Sequence, residues 1–147
     1  MQRIFKQSFI LSVTTAIALL FAGCGESKVA QCNKVINVAN QASTLGQEFG
    51  KNPNPAKGSK ALTELAGKID TLAKEIKALE IKDEKLQGFQ GRFLTLYQEI
   101  SKELNNTATA IDKKNLPAAK GFLGSLQKSS TEEGSIVQEI NSYCSAK

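Results

Sequence analysis

The chain has 147 residues, with 19 Lys and Arg against 14 Asp and Glu, three cysteines, one methionine and neither histidine nor tryptophan. Lacking His, it lacks the commonest metal ligand and the one side chain that titrates near neutrality unaided, so His-ligated metal sites and His-based acid–base chemistry are excluded from the start. The net charge of +5 is modest and dispersed, the pattern of a solvated surface more than of a nucleic-acid footprint.

The first segment is a leader. Arg3 and Lys6 form a short positive region, and Phe9 to Phe21 is apolar apart from Ser12, Thr14 and Thr15, as in a secretory signal. A helix over residues 9–22 would cover roughly 21 Å, against a hydrocarbon core of about 30 Å, so the run is too short to span a membrane. The one good A-x-A, Ala16-Ile17-Ala18, lies inside the apolar run, and this places the cut just before Cys24.

The ending Phe21-Ala22-Gly23-Cys24 resembles the lipobox of bacterial lipoproteins, with Phe21 standing where Leu is usual. What the resemblance implies is that residues 1–23 are removed and that Cys24 carries the lipid and becomes the mature N-terminus. The alternative is a secreted chain with an unusual cut and a free thiol. Cysteine parity agrees with the lipid: if Cys32 and Cys144 pair, the leftover thiol is the one that lipidation consumes. Export also implies an oxidising compartment, in which such a pair is bridged. Arg3 and Lys6 leave with the leader while all 14 acids stay, so the remainder carries +3 and is long enough for one domain.

After a tether at 24–28, the first amphipathic helix is predicted over about 27–49, with Val29, Cys32, Val35, Ile36, Ala39, Ala42, Leu45 and Phe49 on one stripe. Residues 51–58, with Pro53 and Pro55 among Asn and Gly, predict a loop. The second helix, about 59–80, carries the cleanest stripe, from Leu62 to Leu79. Asp83 is a reasonable N-cap for a third helix over about 84–112, and the tight connection makes these two antiparallel neighbours. Asn105-Asn106 marks a place where that helix could bend or fray.

Asn115 and Pro117 open a fourth helix over about 116–144. Its seam is polar between Leu126 and Ile136, where Ser130 and Glu133 have capping-box spacing. That stretch admits either a kink with a restart or a continuous helix that loses packing.

Four such helices predict an all-α, up-down-up-down bundle spanning 29–147. In that topology the start of the first helix lies beside the end of the fourth, which brings Cys32 and Cys144 together. A disulfide there would stabilise by about 4 to 5 kcal/mol at most. A redox-active pair would need an exposed, low-pKa thiol and usually C-x-x-C proximity, and neither is visible. The tether of Gly25, Glu26 and Ser27 holds this end within roughly 10 to 15 Å of the lipid. The far end then collects Lys51, Lys57, Lys60, Lys113, Lys114 and Lys120, serving either solubility or the docking of an acidic partner.

No H-E-x-x-H, haem or G-x-S-x-G motif occurs, so the sequence predicts no enzyme, no cofactor and no metal. Gly88-x-x-Gly91 and Gly121-x-x-Gly124 read as places of close helix approach or as tolerated glycines. Two functions remain. One is a lipid-anchored interaction or accessory module at the periplasmic or lumenal face of a membrane, attached through Cys24 and associated with a membrane protein complex, without nucleic acid. In layout this resembles the small helical lipoproteins that cyanobacteria use as extrinsic accessory subunits of thylakoid complexes. The other is a carrier of a small apolar ligand, with room left by the alanines of the first helix and the polar seam at 129–134.

Overall fold

The computed structural model describes residues 26–51 and 58–145. Cys24, the leader and Lys57 therefore lie outside the described residues. Four helices follow one another: α1 (Lys28–Lys51), α2 (Ser59–Ala78), α3 (Glu84–Asp112) and α4 (Leu116–Ser145). They form an all-α four-helix bundle.

The helix ends follow from local chemistry. Ser27 precedes α1 and accepts from the Ala30 amide at 3.1 Å. Asp83 caps α3 by accepting from Leu86 N at 2.9 Å, and Asn115 caps α4 by accepting from Ala118 N at 3.1 Å, as predicted. The end of α3 closes with two nested backbone bonds, Lys114 N to Ile111 O and Asn115 N to Ala110 O, around Lys114 at φ 56°. This is the left-handed helix stop that glycine usually occupies.

Two helix ends differ from expectation, and the two open questions about α3 and α4 are answered. α1 runs on through Gly50 to Lys51, because the first proline comes two positions later. α2 stops at Ala78, since Leu79 turns to extended backbone and Gln90 of α3 takes up the freed carbonyls of Ile76 and Leu79. α3 passes straight through Asn105, whose side chain donates to the Ser101 carbonyl. α4 is continuous through Ser129–Gly134, so the restart does not occur, and Glu133 bonds to another helix instead of acting as part of a capping box.

The core is built mainly on α3, where Leu86, Phe89, Phe93, Leu96, Tyr97 and Leu104 are buried. α3 packs between α2 and α4, which take diagonal corners, and α1 closes the fourth corner and touches all three. The apolar stripe of α2 is buried as its spacing predicts, from Leu62 to Ile76. α4 is different. It buries Ala119, Ile136 and Ile140, while Leu116 and Leu123 remain 70% and 50% exposed. The packing is therefore tight where α4 ends and loose where it begins.

The glycine pairs are not close-approach points. A Cβ added at Gly88, Gly91, Gly121 or Gly124 would meet nothing within 4 Å, because all four face outward. Among the described residues no helix is long and apolar enough to cross a membrane.

Candidate functional site

The two ends of the bundle are chemically distinct. At the end that begins with Glu26, Cys32 of α1 and Cys144 of α4 are joined as a disulfide, with Cα atoms 6.1 Å apart. Cys32 is 1% exposed, so this bridge is part of the core and not a surface thiol pair.

Around it is a set of polar contacts that the sequence did not suggest. Gln31, buried beside Cys32, accepts from the backbone amides of Lys82 at 2.6 Å and Asp83 at 3.0 Å and donates to the Glu26 carbonyl at 2.9 Å. One side chain thus ties α1 to the α2–α3 turn. Tyr143 donates its hydroxyl to Asp83 at 2.8 Å, and the ammonium groups of Lys28 and Lys85 lie 4.6 Å and 4.8 Å from its ring centroid. The Leu86 amide, and after it the Tyr143 hydroxyl, hold the Asp83 carboxyl below its ordinary pKa. Gln31 could have been noticed as a polar residue adjoining an apolar stripe. Tyr143 offered no such signal.

The opposite end carries the basic tip. Lys51 ends α1, Lys60 lies in the first turn of α2, Lys113 and Lys114 form the α3–α4 turn, and Lys120 follows in α4. A hydrogen bond from Ser59 to Asp112 fastens the start of α2 to the end of α3 there. All five lysines are exposed, and none forms an ion pair with a described residue. Lys114 is also held at a positive φ, which costs a residue with a Cβ about 1 kcal/mol that glycine would avoid.

Between these ends, under the loosely packed part of α4, lies an apolar crevice of about 210 Å³. Its space comes from small residues, Ala42 and Gly46 of α1, and from α4 standing off at Leu123 and Leu126. Leu65 of α2 and Ile100 of α3 line other sides. Among the described residues Glu133 is the one charged group lining it, with Ser130 one turn away on the same helix.

Tyr97, fully buried, donates its hydroxyl to Glu133 Oε1 at 3.1 Å. No Lys or Arg pairs with Glu133 among the described residues. Burial raises the pKa of its carboxyl, with the Tyr97 hydrogen bond opposing in part, while burial and the facing carboxylate push the Tyr97 phenol far up. Elsewhere on the α3–α4 seam, Arg92 forms an exposed two-pronged pair with Glu139 at 2.7 Å and 3.0 Å. Glu103 keeps its buried Oε2 without a hydrogen-bond partner.

Among the described residues no three His, Cys, Asp or Glu side chains converge as a metal set. Comparison with protein-family models, curated proteins and solved structures gives no match to the chain.

Proposed function

We propose that the protein is exported, anchored by lipid on Cys24, and works without catalysis as an interaction or accessory module at the outer, periplasmic or lumenal face of a bacterial membrane. The observation that carries this reading is the polarity of the bundle. Glu26, two residues after the proposed anchor, stands at the disulfide end, where Gln31, Asp83 and Tyr143 fasten three helix ends together. The five described tip lysines stand at the other end, exposed and unpaired.

A short tether on a stiffened end fixes which surface faces the lipid. It leaves the basic tip directed away, where an acidic face of a membrane-bound protein complex can reach it. Lys114 supports the same reading, because a cation kept where glycine would be less strained is consistent with a use for its charge. A carrier of a drug-sized ligand is the weaker reading, since such pockets run from about 300 Å³ upward and this crevice holds about 210 Å³.

The test is affinity capture of the native lipoprotein from solubilised membranes at low salt and at 0.5 M salt. The reading expects a stoichiometric protein partner at low salt whose yield falls steeply at high salt, where charges are screened beyond about 4 to 5 Å. Failure to capture any partner at either salt concentration would contradict it.

A further inference from the structure

The crevice under α4 asks for an explanation that neither the anchor nor the basic tip supplies. A carboxylate removed from water is costly unless a cation or several hydrogen-bond donors compensate it, and such groups are normally paired. Glu133 is half-buried and receives one hydrogen bond, from Tyr97, through Oε1. No described cation pairs with it, and no described lysine contributes to its electrostatic environment.

Its neighbours in the crevice are aliphatic or small, apart from the aromatic ring of Phe49. Leu123, half exposed at the mouth, offers an apolar lip that the fold itself leaves unburied. The stretch of α4 responsible for this, from Leu126 to Ile136, is the one whose seam carries Ser129, Ser130, Glu133 and Gly134 in place of large apolar side chains. Of these, Ser130 and Glu133 line the crevice, and leucines at those two positions would narrow it. The opening is thus written into the sequence and is not a packing accident of one side chain.

We propose that this crevice binds a small organic cation, an amine carried on a single ring or a short alkyl chain, with its ammonium group on the Glu133 carboxylate and its apolar body among Leu65, Ile100, Leu123 and Leu126. The volume fits that size: an apolar cavity of about 150 Å³ lined by Leu, Ile and Phe accepts benzene, so about 210 Å³ takes one ring with a short substituent. The Glu133 carboxylate supplies sign specificity. An ammonium group provides the missing charge-assisted hydrogen bond, an alcohol provides a neutral and weaker one, and a carboxylate ligand is repelled. Tyr97 acts as a positioning residue, since its hydroxyl holds Oε1 and leaves Oε2 for the ligand.

This site is independent of the lipid anchor and of the tip, so it stands or falls separately from them. The test uses three isosteric probes, benzylamine, benzyl alcohol and benzoate, titrated into the full-length protein in phosphatidylcholine nanodiscs while the methyl signals of Leu123 and Leu126 are followed by NMR. The proposal expects benzylamine to bind about tenfold or more tightly than benzyl alcohol, and benzoate not to bind. Glu133→Gln, which keeps an acceptor for Tyr97, should bring benzylamine down to the affinity of the alcohol. The order of the three probes on the wild type decides the matter without any variant. Equal binding of all three would reveal an unselective apolar hole and overturn the proposal, as would no binding, or an amine preference that survives Glu133→Gln.

Discussion

The hydroxyl of Tyr143 stands 2.8 Å from a carboxylate oxygen of Asp83, so the last turn of α4 is fastened to the residue that caps α3. Asp83 thereby serves two helices with one side chain: Oδ1 accepts from the Leu86 amide and Oδ2 from Tyr143. The two contacts meet at the end of the bundle that the disulfide also closes.

The pH dependence of stability follows from this. The Asp83 pKa is lowered in the fold, so its contribution is fully present above the unfolded carboxylate value of about 4 and is lost as pH falls through the lower folded value. Tyr143→Phe removes the second largest of the causes, after the Leu86 amide, and should raise the Asp83 pKa toward the ordinary range, making acid unfolding less steep. Asp83→Ala should cost about 1 kcal/mol through the lost cap. Carboxyl NMR titration and acid melts check both, and an Asp83 pKa unchanged in Tyr143→Phe would contradict the assignment.

Gln31→Leu should leave the amides of Lys82 and Asp83 without their acceptor and lower stability by about 1 to 2 kcal/mol. Hydrogen exchange at those two amides should quicken while the middle of α3 is unaffected. Unchanged protection at both would show that water substitutes fully for the glutamine.

Cys32 and Cys144 should resist alkylation until the protein is reduced. Their double replacement by Ser should lower stability by up to about 4 kcal/mol, with no change in where the protein is found. The loss should be smaller than a bare chain-entropy estimate, since Gln31 and Tyr143 still hold the same helix ends together. Free thiols in protein taken from its own compartment would rule the bridge out.

Lys51→Gln, Lys57→Gln, Lys113→Gln and Lys114→Gln together should leave the melting temperature nearly unchanged, because Lys51, Lys113 and Lys114 are exposed and such charges contribute little to stability. The same change should slow association with the partner. Lys114→Gly separates the two effects further: it should stabilise by about 0.5 to 1 kcal/mol through relief of the positive φ and still weaken docking. Partner yield insensitive to all of these would move attention from the tip to the helix faces.

How much of this was legible in the sequence depends on the kind of information each feature carries. The stripes of α2 and α3, the caps Asp83 and Asn115, and the meeting of Cys32 with Cys144 all follow from periodicity, capping chemistry and antiparallel order, which are local or topological. The contacts of Gln31, Tyr143 and Glu133 are not of that kind. Each joins residues separated by dozens of positions, and which polar side chain faces a neighbouring helix depends on rotation about the helix axis that spacing alone does not fix. Leu116 and Leu123 show the converse: they continue an apolar stripe, yet the other helices do not close over them. Glu133 had the spacing of a helix cap, and only the continuity of α4 reveals that its carboxylate answers to Tyr97 instead.

The proposed anchor at Cys24 would set which end of the bundle faces the membrane, and its most direct test is metabolic labelling with a radioactive fatty acid followed by membrane fractionation of the wild type and Cys24→Ser. The account predicts that the wild type is labelled and sediments with membranes. Cys24→Ser should be unlabelled, and either released into the soluble exported fraction or retained as a precursor that keeps residues 1–23. A wild-type protein that takes up no fatty acid and is soluble outside the cytoplasm would contradict it.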